Sequence, residues 1–86
     1  MGEWSVYIVR CADGSLYTGI AIDVERRLAE HNADDRLGAR YTRARRPVTL
    51  EYSEARDGRS DAARRESEIK RYDRAAKEQL IAEARQ

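Results

Sequence analysis

Residues 4–21 read WSVYIVRCADGSLYTGIA, and the fold turns on how this stretch doubles back. Trp4 to Cys11 is rich in β-branched and aromatic residues, the composition of a strand. Asp13-Gly14 is a strong hairpin-turn signal. Leu16 to Ala21 is the returning strand, short and again β-rich. Two registers are open. A two-residue loop sets Tyr7 opposite Ile20 and Tyr17 opposite Arg10. Side chains alternate along a strand, so the two tyrosines then point to opposite faces. A three-residue turn with Gly14 in a left-handed bulge sets Tyr7 opposite Gly19 and brings both tyrosines to one face. In that register Gly19 has a use: without a side chain it leaves room for Tyr7 or for a phosphate.

Outward from the hairpin, Asp23 can cap a helix that runs to about Asn32 by accepting from its exposed backbone N–H groups. Gly38 lies in a loop extending to Pro47, which blocks helix continuation. Val48 to Ser53 reads as a third strand, and Asp57-Gly58 as a turn. Ser60 is the expected cap of a second helix to about Arg71, and Asp73 of a third to about Ala84. The order β-β-α-β-α-α is that of an α+β fold, a small three-stranded antiparallel sheet flanked by helices. No repeat or linker divides residues 1–86, which read as a single domain.

Composition sets the limits. A chain of 86 residues buries only roughly 60–65% of its unfolded surface. Four Val, five Ile and five Leu supply the large aliphatics, with thirteen Ala and five Tyr beside them and no Phe. The single cysteine, Cys11, excludes an internal disulfide and fits a reducing compartment as a buried thiol. No apolar run approaches the ~20 residues of a membrane span, and the N-terminus lacks a secretion-signal pattern. The expectation is a cytoplasmic protein. The net charge of +1 argues nothing about nucleic acid. Its distribution does: no acid lies between Asp35 and Glu51, while Arg36, Arg40, Arg43, Arg45 and Arg46 fall there. The stretch is either a solvated loop or a phosphate-binding patch.

Two helices carry polar residues where an apolar stripe is expected. Positions 24, 27, 28 and 31 share one helical stripe. Val24 and Leu28 mark it as inward, so Arg27 and His31 lie on or beside the buried face. Arg26 and Glu30 fall elsewhere and can form a surface pair. An inward arginine costs several kcal/mol unless paired. On the second helix Glu66 interrupts the stripe of Ala62 and Ile69, while Glu68 falls on the polar side. A lone inward carboxylate either pairs with Arg27 or Arg65, or holds one hard cation such as Mg²⁺, which keeps most of its waters.

Val6-Tyr7-Ile8, Tyr17-Thr18-Gly19, Arg27, His31 and Glu66, in this order and spacing, resemble the GIY-YIG nuclease superfamily. The resemblance runs from Trp4 to about Ile81 and is nearest to the small stand-alone YhbQ-like group of bacteria. It implies a domain of the order given above and requires the bulged hairpin register. It also implies catalytic roles for Tyr7, Tyr17, Arg27, His31 and Glu66. Glu66 would anchor Mg²⁺ or Mn²⁺, which polarises the scissile phosphate. Arg27 would face the developing phosphorane charge. Tyr7, helped by Tyr17 or His31, would orient or deprotonate the attacking water. A phenol of pKa near 10 needs the metal or Arg27 to lower it. Arg40, Tyr41, Thr42, Arg43, Arg45 and Arg46 are the residues expected on the nucleic-acid backbone. The implied activity is a divalent-metal-dependent DNA endonuclease in repair or processing, with RNA as the other substrate chemistry. The alternative is a weak or inactive nucleic-acid-binding module on the same fold; a third reading is an interaction domain using the scaffold differently. The first motif here is Val6-Tyr7-Ile8, without the family's leading glycine. Several better-known members carry an asparagine downstream of the glutamate, and the sole asparagine here, Asn32, precedes it.

Overall fold

A computed structural model describes residues 3–85. β1 (Trp4–Arg10) and β2 (Leu16–Ala21) form the hairpin, followed by α1 (Val24–Ala33) and one helical turn, α2 (Arg40–Arg43). β3 (Thr49–Arg56), α3 (Arg59–Lys70) and α4 (Arg74–Ala84) complete the chain. The sheet is antiparallel with order β2-β1-β3, so β1 is the central strand.

The hairpin takes the bulged register. Tyr7 pairs with Gly19 and Arg10 with Leu16. Cys11 N–H donates to Ser15 O at 2.8 Å, leaving Ala12, Asp13 and Gly14 as the turn. Gly14 sits at φ +86°, in the left-handed region that a side chain disfavours. The Asp13 carboxylate closes the turn by accepting from the Ser15 N–H at 3.0 Å.

Alternation along β1 then builds two different layers. Val6 and Ile8 point to one face and pack with Ala62, Ile69 and Ile81 of α3 and α4. Tyr7 and Val9 point to the other and pack with Val24 and Leu28 of α1 and with Cys11, Ala21 and Val48. Cys11 is a buried free thiol.

The termini of the elements follow local chemistry. Asp23 caps α1 by accepting from the Arg26 N–H, and Asp73 caps α4 by accepting from Ala76 N–H. The expected Ser60 cap is corrected: Gly58 is the N-cap of α3, without a side-chain bond. Asp61, in the first turn, does the work instead. Its carboxylate accepts from the Asp57 N–H at 3.2 Å and pairs with Arg56 at 3.0 Å, which starts the helix earlier. β3 also runs three residues beyond Ser53, because β1 pairs with it as far as Trp4↔Arg56. A register shift between Ile8 and Val9 accommodates the extra Glu51 on β3. No helix among the described residues is long and apolar enough to cross a membrane.

Candidate active site on the α1 face

The site starts from Gly19. A Cβ built there would lie 2.5 Å from the Tyr7 hydroxyl oxygen and 2.7 Å from Cζ. The Tyr7 ring therefore lies flat across β2, and only glycine lets it do so. Its hydroxyl is delivered to the margin of the sheet, where α1 approaches from one face and α3 from the other.

At that point Tyr7 Oη lies 2.7 Å from His31 Nε2. Both side chains are buried, Tyr7 at 2% and His31 at 0% exposure. His31 Nδ1 is 2.9 Å from Thr42 Oγ1, and Thr42 donates its own proton to Ala39 O at 3.0 Å. A hydroxyl has one proton to give. With that proton spent, the Thr42 oxygen can accept from an Nδ1–H, and Nε2 is then free to accept from Tyr7. The Ala39 N–H donates toward the same Nδ1 at 3.4 Å, a contact that favours the opposite tautomer and is the longer and weaker of the two.

The electrostatics match a neutral pair. Burial, with the Arg27 cation nearby, pushes His31 down to about 4. Burial pushes Tyr7 up to about 12, opposed by a hydrogen bond from Arg27 and reinforced by Tyr17 and Glu66. The expectation that Arg27 would make Tyr7 more acidic is half met. Arg27 acts in that direction, but desolvation is the larger effect.

Arg27 is held at the rim. Its Nη1 pairs with Glu30 Oε1 at 3.0 Å and donates to the Leu37 carbonyl. Glu30 also takes Arg26 at 3.4 Å, so the expected surface pair exists and is shared. Glu66 comes from α3, on the Ala62–Ile69 stripe as its spacing requires, with a half-buried side chain paired to Lys70 at 3.4 Å. It pairs with neither Arg27 nor Arg65, whose partners are Glu30 for the first and Glu54 and Glu68 for the second. Lys70 Nζ stands 6.0 Å from the Tyr17 ring centroid, which places the Glu66–Lys70 pair beside the tyrosines.

Tyr17 links this centre to the surface. It meets His31 edge-on at 5.4 Å and stacks on Tyr41 at 5.9 Å with planes 22° apart. Arg45 covers the outer face of Tyr41 at 3.9 Å. Beyond them opens a shallow concavity of about 830 Å³ lined by Asp35, Arg40, Tyr41, Arg43, Ala44 and Arg45. Exposed Arg40 and Tyr41 belong to this face, as does Arg43, which donates to the Asp35 carbonyl at 2.6 Å. Arg45 also bonds Asp13 at 3.1 Å and so ties the hairpin to α2.

Two residues expected on the nucleic-acid backbone are engaged elsewhere. Thr42 is wholly buried beneath His31 and cannot reach a phosphate. Arg46 donates to the carbonyls of His31 at 2.6 Å and Asp34 at 3.0 Å and pairs with Asp35 at 2.9 Å, bracing the end of α1. Asn32 is structural too. Its amide exchanges two hydrogen bonds with the Val48 backbone, at 2.9 and 2.7 Å, and fastens α1 to the start of β3.

No group of three or more His, Cys, Asp or Glu side chains among the described residues could share a metal ion. That excludes a zinc-type cage here. A hydrated Mg²⁺ or Mn²⁺ still fits, because it needs one carboxylate such as Glu66 and takes its other oxygens from water and substrate.

Residues 3–79 match the family profile described as the GIY-YIG catalytic domain. The chain belongs to the GIY-YIG family. A UPF0213 protein of Halobacterium salinarum is 56% identical over 76 residues, covering 88% of this chain and 96% of the relative. One from Staphylococcus saprophyticus is 51% identical over 83 residues, with 96% and 99% coverage. Two solution structures are similar in fold. A UPF0213 protein of Bacillus halodurans has a TM-score of 0.59 at 42% identity, covering 93% of this chain and 83% of that one. A protein of E. faecalis has a TM-score of 0.65 at 36% identity, with 99% and 88% coverage. The chain is thus a member of the GIY-YIG nuclease superfamily and matches these UPF0213 relatives over nearly their whole length.

Proposed function

We propose that this GIY-YIG protein is a divalent-metal-dependent endonuclease that hydrolyses DNA phosphodiester bonds, in repair or processing of DNA. The observation that carries the reading is the buried 2.7 Å bond from Tyr7 to His31, with Arg27 and Glu66 both acting on the same hydroxyl.

The chemistry follows from that bond. A neutral phenol is a poor base, but one already donating to an imidazole can take a proton as it gives one away. The attacking water loses its proton to Tyr7 Oη as the phenolic proton moves to His31 Nε2. The hydroxide adds to phosphorus, and the leaving oxygen departs with its bonding pair. Arg27 stands fixed at the rim to meet the charge that develops on the phosphate. Glu66 would hold a divalent cation, which when bound supplies Lewis-acid stabilisation of the phosphate and leaving oxygen. Tyr41 and Arg40, Arg43 and Arg45 supply the contact face for the sugar–phosphate backbone. Arg46 supports that face from behind.

The binding-module reading draws support from Lys70, which holds Glu66 Oε2 in an ion pair. Labelled linear, nicked, flapped and branched DNA incubated with Mg²⁺, Mn²⁺ or EDTA separates the two. Metal-dependent cutting abolished by Glu66→Ala is the expected result. Salt-sensitive binding without cutting would leave the binding module.

A further inference from the structure

We propose that Thr42 is a positioning residue that fixes His31 in the Nδ1–H tautomer, so that Nε2 is open to the Tyr7 proton. The inference rests on the Tyr7–His31 centre proposed above and adds the device that sets its direction.

The shorter contacts favour one arrangement over the other. The Ala39 carbonyl can only accept, and Thr42 Oγ1 lies 3.0 Å from it, so the threonine proton points there. The oxygen then offers lone pairs to His31 Nδ1 at 2.9 Å, which calls for a proton on that nitrogen. In the opposite tautomer Thr42 would turn its proton to Nδ1, and Ala39 O would keep only the Arg43 N–H at 3.0 Å. Nε2 would then present an N–H to Tyr7, and the phenol could only accept. Proton flow from Tyr7 to His31 would be blocked. Full burial of Thr42 and His31 keeps water from substituting for either partner.

Thr42 suits this task for two further reasons. Its branched Cβ restricts χ1, so the hydroxyl is held in place. It also sits on α2, a single turn whose N-cap is the same Ala39 that orients it. The turn is far too short to persist alone, which makes the Thr42–His31 bond a tie between α2 and the catalytic helix. Threonine at this position acts through His31 and does not touch substrate.

The chain contains one histidine, so its imidazole signals need no assignment. Long-range ¹H–¹⁵N spectra of the full-length protein at pH 7.5 are expected to show Nδ1 protonated and Nε2 unprotonated. Thr42→Val, which keeps shape and removes the hydroxyl, is expected to populate the Nε2–H form. It should also lower the cleavage rate by about 10- to 100-fold, the usual cost of losing a group that orients a functional imidazole. Thr42→Ser is expected to restore the Nδ1–H spectrum and most of the rate. An Nε2–H tautomer in the wild type would overturn the proposal without any variant. So would a folded Thr42→Val protein that keeps the wild-type tautomer. A wild type that does not cut would overturn the nuclease reading alone, because the spectra still decide the tautomer.

Discussion

The two faces of β1 are built on different terms. On one, Val6 and Ile8 meet Ala62, Ile69 and Ile81 in an apolar layer. On the other, Tyr7 and Val9 share their layer with buried polar groups, His31 and Thr42. The first face gains stability from removing hydrocarbon from water. The second accepts the desolvation of a phenol, an imidazole and a hydroxyl, and offsets it by joining them in one hydrogen-bonded chain. A single strand thus anchors the apolar layer with its even positions and the proposed centre with its odd ones. Glu66 crosses that division: it rises from the apolar helix layer, and its proposed role lies on the side of the tyrosines.

If the division is real, substitutions on the two faces should separate activity from stability. Glu66→Gln is expected to lower metal-dependent cleavage by about 10³-fold or more, the scale of losing a main charge-stabilising group. Its unfolding free energy in urea should change by under about 1 kcal/mol, since the side chain is partly exposed and its partner Lys70 is a surface group. Ile69→Ala should do the reverse. It empties a fully buried site and should cost about 2–5 kcal/mol of stability, while the rate per folded molecule holds.

The pH dependence sharpens the contrast. His31 is depressed to about 4 when folded, against an ordinary value of 6.5. The unfolded chain therefore binds more protons between those values, and stability should fall as pH drops from 6.5 toward 4, by up to about 3 kcal/mol. The carboxylates of Asp34, held low by the Leu37 and Arg36 backbone N–H groups, and of Asp61, held low by Arg56, act at lower pH. Thermal unfolding of His31→Gln should lose the upper window and keep the lower one.

Gly19→Ala tests the hinge between the faces. The new methyl would sit where the Tyr7 hydroxyl now lies. About 1–3 kcal/mol of overpacking strain is expected, together with a change in the His31 ¹⁵N signals as the Tyr7 hydroxyl leaves Nε2. The smallest effect belongs to the surface: Arg43→Ala should weaken DNA binding evenly across sequences and lower the salt slope by about one.

Much of this was legible in the sequence. The Asp23 and Asp73 caps and the inward stripe of Arg27 and His31 follow from local chemistry at short range, whereas the hairpin left two registers open and only the family resemblance required the bulged one. What escaped depends on contacts far along the chain. Thr42 reads as one more polar residue in an arginine-rich loop; only the fold puts it under His31, eleven residues away. Arg46 has the look of a phosphate ligand, yet it finds the carbonyls at the end of α1. The Ser60 cap failed because Asp61 had a partner in Arg56 across the turn. The direction of the Tyr7 shift needed burial, which no spacing rule supplies.

The central claim is that the buried Tyr7–His31 bond is the working centre and not a packing detail. Its most direct test is the single-turnover cleavage rate of Tyr7→Phe with Mg²⁺, at matched folded fraction. Phe keeps the ring over Gly19 and removes only the hydroxyl. A fall of about 10²-fold or more is expected, the scale of losing an acid–base group. A rate equal to the wild type would contradict the account.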